Sequence, residues 1–163
     1  MAFETFDPKN LVITIAEKPI EGFAETMVSI SRPNPMWVSQ VGATGHVCRV
    51  KTNDFTTDVN ITLQQCSFSN LHLSEIAAAD ESINKGVFTI LITYKTGLDE
   101  QGNDVLKTLL SSSTAYIEKQ PDASWGNSPS DWEWAIKCAD TSVYNLSKTS
   151  TDDHIFVAAV PAP

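Results

Sequence analysis

Residues 22–70 read GFAETMVSISRPNPMWVSQVGATGHVCRVKTNDFTTDVNITLQQCSFSN, and the fold turns on how this stretch is parsed. In Val59-Asn60-Ile61-Thr62-Leu63-Gln64 apolar and polar residues alternate without a break, the period of a half-buried strand. One face is Val59, Ile61 and Leu63; the other is Asn60, Thr62 and Gln64, with Asp58 at its edge. Residues 27–32 repeat the arrangement, with Val28 and Ile30 set against Ser29 and Ser31. Both outer faces are polar, short and almost uncharged, so they are wetted without gripping anything. Three strand-like runs, two turn-rich joints and a helix start fill the stretch, and no constellation able to do chemistry. That pattern belongs to a structural protein more than to an enzyme.

Working outward, residues 11–15 (LVITI) read as a first strand after the Asp7-Pro8 turn, and residues 19–22 as a second turn. Pro33-Asn34-Pro35 must end the strand over 23–32, since proline lacks the ladder donor and restricts the residue before it. Residues 36–45 follow as a loop or frayed strand containing Gly42 and Gly45. Residues 46–52 form a strand with Arg49 and Lys51 on one face and Cys48 and Val50 on the other. Asn53-Asp54 is a joint into the strand over 58–66. One helix comes next, capped by Ser69 or Asn70, with an apolar stripe of Leu73, Ile76 and Ala77 running through Asp80.

After Lys85-Gly86, residues 87–94 (VFTILITY) are the most hydrophobic strand and a central one. Residues 98–104 carry three acids and form an exposed hairpin tip or loop. Residues 105–119 are ambiguous: Leu106, Leu109 and Leu110 suit a helix, whereas the Ser111–Thr114 run and Tyr116-Ile117 favour a strand from Ser112 onward. Residues 120–131 are loop. Residues 132–139 alternate Trp132, Trp134, Ile136 and Cys138 against Glu133, Ala135 and Lys137, a strand. A polar tail follows from Lys148, with a last short strand at 154–160. Seven or more strands and one short helix make the chain mainly β, a sandwich or barrel.

The 163 residues suit one domain spanning 1–163, with an extended C-terminal tail over 140–163. Twenty carboxylates face eleven Lys and Arg, for a net charge of −9 and no basic run. That balance opposes binding of a nucleic-acid backbone, which needs clustered cations, yet suits a surface that DNA must pass without sticking. No apolar run of about 18 residues is present, so no membrane-spanning helix is expected. The N-terminus shows neither the basic nor the apolar region of a signal peptide. Cys48, Cys66 and Cys138 are far apart, without metal spacing, and read as reduced structural thiols. The sequons at Asn60 and Asn145 read as coincidence without a secretory leader.

Each candidate for chemistry has a plainer reading. His46, His72 and His154 fall outside metal-ligand spacing of one another and of the cysteines. Asp99, Glu100 and Asp104 lack the ligand alternation of a calcium loop. Asp131 and Glu133 beside Trp125, Trp132 and Trp134 faintly suggest a glycosidase or a sugar-binding face, against tryptophans that simply fill the core. Ser111–Ser113 has no nucleophile elbow, and the seven glycines make no phosphate loop. No catalytic residue, metal ligand or cofactor is assigned.

In order, the pieces resemble one family. Phe6-Asp7-Pro8-Lys9-Asn10 followed by Gly22-Phe23-Ala24 is similar to its "YDPK…GFADG" pattern, and residues 41–47 (VGATGHV) to its "VGADGEV" element. Asn53-Asp54, Thr62-Leu63-Gln64-Gln65, residues 67–71, Gly86-Val87-Phe88, Ala115-Tyr116-Ile117 with Pro121-Asp122, and Trp134 continue the match. The family is the tail tube (core tail) proteins of contractile-tailed bacteriophages, and the resemblance runs from Thr5 to Ala139. Glu25-Thr26 replaces the Asp-Gly of the first pattern, and residues 98–110 and the tail look longer than usual.

The resemblance implies a β-sandwich that closes into a homo-hexameric ring. Rings would stack into a tube lined by a continuous β-barrel, inside a contractile sheath, through which genomic DNA travels. Implied partners are the sheath, baseplate, tail terminator and tape measure proteins. The implied location is the virion tail, assembled in host cytoplasm. On that reading Glu25, Ser29, Ser31, Asp58, Asn60, Thr62 and Gln64 line the lumen. Met36, Trp37, Val38 and Val41 form a subunit interface, and the acidic 98–104 segment meets a basic patch on the next ring or the sheath. Alternatives are the tube of a type VI secretion or related contractile injection system, and a carbohydrate-binding β-sandwich module.

Overall fold

A computed structural model describes residues 6–98 and 100–146. It is mainly β, with one helix, as the alternating sequence requires. Eight strands form one sheet in the order β2-β1-β7-β8-β9-β6-β3, with β10 also paired to β8. These are β1 (Leu11–Ile15), β2 (Lys18–Pro19), β3 (Phe23–Ser31), β6 (Thr57–Gln64), β7 (Phe88–Leu98), β8 (Asp104–Lys119), β9 (Asp131–Cys138) and β10 (Thr141–Tyr144). A separate antiparallel hairpin joins β4 (Trp37–Val41) to β5 (Val47–Lys51).

β8 belongs to both halves of the sheet. Its residues 104–115 pair with β7, while its other side pairs with β10 at 110–112 and with β9 at 115–119. Register shifts along these pairings bend the strand, because each extra residue kinks the ladder and increases its twist. The sheet thereby curls over one core containing Ile13, Ile15, Val59, Ile61, Leu63, Ile90, Ile92, Leu110, Trp134 and Ile136. Burying each such side chain contributes roughly 1.5–3 kcal/mol.

The single helix, α1 (Ser69–Ile83), closes the core with Leu73 and Ala77 buried and Ile76 packed against them. Neither expected cap is used. Phe68 occupies the cap position without a side-chain bond, and the Ser67 hydroxyl accepts from the Ser69 amide at 3.2 Å. Asn70 is buried and turned inward, donating to the Gln64 carbonyl at 2.9 Å and accepting from Trp134 Nε1 at 3.0 Å. The helix runs one turn past Asp80 and stops where Asn84 adopts a left-handed conformation.

Other expectations are corrected. The turn after β1 is Ala16-Glu17, both at positive φ, so residues 18–19 are strand and not the start of a turn. Residues 37–41 are a strand whose partner follows a tight turn, with the Gly42 amide donating to the His46 carbonyl at 2.8 Å. Residues 105–119 are strand throughout. β10 lies within the region expected to be tail, and the strand expected at 154–160 lies outside the described residues. Gly22 is obligatory at φ +76, where a side chain would collide with Ser67.

Candidate assembly surfaces

The polar rows of β3 and β6 come together. Ser29 stands opposite Asn60 and Ser31 opposite Asp58, with Val28 and Ile30 turned to the core side opposite Ile61 and Val59. The face extends further than sequence alone indicated, because β9 lies on the other side of β6. Thr62 is opposite Glu133, Gln64 opposite Asp131, Asn60 opposite Ala135, and Asp58 opposite Lys137. Tyr116 of β8 continues the row beside Lys137. Lys137 Nζ lies 3.8 Å from Asp58 Oδ1 in a half-buried pair. The layer β3-β6-β9-β8 thus presents mostly short polar side chains with three acids, a central Lys137, and Lys119 opposite Ala135 at the β8 end.

Glu25 departs from this row. Pairing between β3 and β6 is interrupted between Phe23 and Val28, which breaks the two-residue alternation. Glu25 instead lines a groove of about 900 Å³ between the β1–β2 edge and the free side of β3. Phe6, Leu11, Phe23, Met27, Val28 and Leu109 are among the apolar residues that line it.

The β4–β5 hairpin carries Met36, Trp37, Val38 and Val41, and all four are exposed, Trp37 by 39% and Val41 by 66%. Trp37 is therefore not a core residue. Val47 and Val50 of the returning strand are exposed as well. Among the described residues, none of the hairpin belongs to the core or packs against it. An isolated two-stranded hairpin is marginal in water, so this one gains its stability from its base and from whatever covers it. At the base, the Thr52 amide donates to the Met36 carbonyl at 3.0 Å, and Asn34 Nδ2 donates to the Asp54 carboxylate. Asp54 also accepts from the Thr56 amide at 3.0 Å and the Thr56 hydroxyl at 2.7 Å. These bonds, the Thr56 amide first, hold the Asp54 carboxyl down to about 2. On the hairpin face, the Arg49 guanidinium sits 3.8 Å from the Trp37 ring centroid.

The remaining candidates fall apart in space. His72 Nε2 bonds the Ile15 carbonyl at 3.0 Å, His46 sits in the hairpin turn, and His154 lies outside the described residues. Asp104 pairs with Lys95 at 3.3 Å on the β7–β8 tip, and Asp99 is outside the described residues. Trp134 is buried, and Trp132 stands edge-on to the exposed Trp125 at 5.6 Å. Ser112 is buried and donates to the Asp140 carbonyl at 2.7 Å. Cys138 is buried, which pushes its thiol up to about 11, whereas Cys48 and Cys66 are exposed. Among the described residues no group of three or more His, Cys, Asp or Glu could hold a metal ion.

No protein-family model matches the sequence, and no curated protein is significantly similar to it. Solved structures do share the fold. The anti-feeding prophage cap, described as the AFP tube terminating cap, matches with a TM-score of 0.59 at 14% identity, over 87% of this chain and 92% of that one. A chain of the extended PVC sheath–tube complex, from an extracellular contractile injection system, matches at 0.56 and 12% identity, over 84% and 89% of the two chains. A chain of the extended PVC sheath/tube terminator matches at 0.57 and 10% identity, over 86% and 97%. The chain has the fold of components of contractile injection systems.

Proposed function

We propose that the chain is the tail tube protein of a contractile tail, forming hexameric rings that stack inside a sheath and let DNA pass. One observation carries the reading: the layer β3-β6-β9-β8 ends in two unsatisfied strand edges. Among the described residues β3 is bonded to β6 alone, and β7 leaves β8 at Ala115, so residues 116–119 of β8 have an open side. An open edge on each flank of one layer is what a head-to-tail ring needs, since the β3 of one copy can pair with the β8 end of the next. Closure removes edges that would otherwise aggregate.

The polar face of that layer becomes the inner wall, with Ser29, Ser31, Asn60, Thr62 and Gln64 supported by Asp58, Asp131 and Glu133. Its acids offer a passing phosphate chain no cationic row to bind. The helix lies on the opposite side of the core, toward the sheath. Electron microscopy of the purified protein tests the reading directly. Rings of six, or tubes built from them, are expected. A protein that stays monomeric across concentration and salt, alone and with its own baseplate to nucleate it, would refute it.

A second reading is favoured by two of the structural likenesses, which are to a tube terminating cap and to a sheath/tube terminator. A terminator has the same fold and ring but stops growth. Rings that never stack, yet bind the end of a preformed tube, would select it over the tube protein.

A further inference from the structure

We infer that the chain's own residues 154–160 seat in the groove between the β1–β2 edge and β3, where they cover core left open between the two halves of the curled sheet. The inference goes beyond the ring-and-tube reading and leaves it intact. A neighbouring copy would pair with the in-plane backbone edge of β3. The groove lies beneath that edge, on the side to which Val28 and Ile30 turn.

The floor of the groove is the core itself. Ile92 and Leu109 are buried members of the core cluster, and Leu11, Phe23, Val28 and Ile30 pack against it only partly buried. A sheet open along this side keeps apolar surface wet, under about 900 Å³ of space. β10 leads the chain to this place. The Arg32 guanidinium sits 4.6 Å from the centroid of the Tyr144 ring, tying the end of β10 to the end of β3. The Asn145 amide then donates to the Leu109 carbonyl at 2.8 Å, and Leu146 itself lines the groove. Arg32 Nε is buried with no partner among the described residues, a donor in the path of the chain beyond Tyr144.

The sequence supplies the occupant. Residues 147–153 (SKTSTDD) are polar and reach about 25 Å when extended, against about 30 Å for the nine residues of β3. Residues 155–160 (IFVAAV) follow, an unbroken apolar run closed by Pro161. Residues 1–5 also adjoin the groove, because Phe6 lines it, but they offer only Met1, Ala2 and Phe3.

Cross-linking in the full-length protein tests this. With Cys48 and Cys66 replaced by Ser, Met27→Cys puts one thiol in the groove and Ala158→Cys another in the apolar run. A short bis-maleimide is expected to join positions 27 and 158 within one chain. The yield should be several-fold above that between position 158 and a control thiol at Glu81→Cys on the helix. Co-expressed chains that carry the two cysteines separately should stay unjoined. In the chain with Met27→Cys alone, deleting residues 154–163 should raise labelling of the groove thiol several-fold, as should Phe156→Asp with Val157→Asp.

Equal joining to position 81, or labelling of position 27 that neither change raises, would overturn the inference. Joining between separate chains would overturn it too and give the groove to a second copy. A rise in labelling only on deleting residues 1–5 would give it to the N-terminal segment. Where the deletion unfolds the protein by circular dichroism, the cross-link in the intact chain decides. Microscopy of the same samples keeps the two readings apart. Rings without the 27–158 link refute the groove occupant alone, whereas the link in a protein that never forms rings refutes the tube reading alone.

Discussion

Asn70 Oδ1 accepts a 3.0 Å hydrogen bond from Trp134 Nε1, and both residues are buried. The same amide donates to the Gln64 and Gln65 carbonyls at 2.9 and 3.4 Å, so one side chain ties the first turn of α1 to the end of β6 and to the middle of β9. Asn70→Ala removes the acceptor and strands a buried indole N–H. A loss of about 1–3 kcal/mol follows for the orphaned group, a melting shift on the order of 2–12 °C for a chain of this size. Trp134→Phe in the same background should then cost less than it does alone, because the shared bond is already gone. Additive losses in chemical denaturation would show that the bond contributes nothing.

The apolar stripe of α1 is graded. Leu73 is fully buried, while Ile76 is only partly so. Leu73→Ala should cost about 2–5 kcal/mol, and Ile76→Ala distinctly less, because the cavity left at a half-open site fills with water or collapses. Equal midpoints for the two variants in urea would contradict the packing.

How much of this was legible in the sequence depended on whether a strand has one apolar face. β6 and β9 do, and their alternation gave both strands and the split between Trp134 and Glu133 directly. β8 does not: Leu106, Leu109 and Leu110 have helical spacing because register shifts against β7 reset which residues face inward. The β4–β5 hairpin was obscured differently, since Trp37, Val38, Val50 and Val47 put apolar residues on both faces and neither faces this chain's core. Asn70 looks like a cap from its place at a helix start, and only Trp134, distant in sequence, reveals its other use. The polar face was read from β3 and β6, but Asp131 and Glu133 join it through pairing that no local pattern encodes.

Thiol reactivity gives a simple check on the core. Cys48 and Cys66 are exposed, whereas Cys138 is buried with its thiol raised to about 11. Only the thiolate reacts, so the native protein at neutral pH should titrate two thiols quickly and the third only on unfolding. Three fast thiols would place β9 closer to solvent than the fold requires.

Acid should loosen the base of the hairpin late. The Thr56 amide, Asn34 and the Thr56 hydroxyl favour the ionised form of Asp54, lowering its carboxyl from 3.8 to about 2. A carboxyl depressed on folding stabilises fully above its unfolded value, and the contribution disappears as pH falls through the folded one. The clamp therefore persists at pH 4 and is lost as the pH approaches 2. Following the Asp54 carboxyl and the Thr56 amide by NMR should give one shared midpoint near 2, and Asn34→Ala should move it upward. A midpoint at the ordinary carboxylate value in the parent protein would mean that Asn34 and Asp54 do not bridge the strand ends in solution.

The polar face of β6 supplies the sharpest test of which side of the sheet is enclosed. Thr62 is half-buried and neighbours Glu133, a position in the middle of the face and away from the hairpin and helix. With Cys48 and Cys66 replaced by Ser, Thr62→Cys makes the face carry the reactive thiol, and Glu81→Cys marks the exposed side of α1. In isolated subunits both should react with a maleimide bearing a polymer of several kilodaltons. In assembled tubes a thiol on the inner wall is reached by a small maleimide through the open ends but shielded from the bulky one. Protection of position 62 alone assigns the β3-β6-β9-β8 face to the lumen. Protection of position 81, with position 62 still reactive toward the bulky reagent, would turn the subunit inside out.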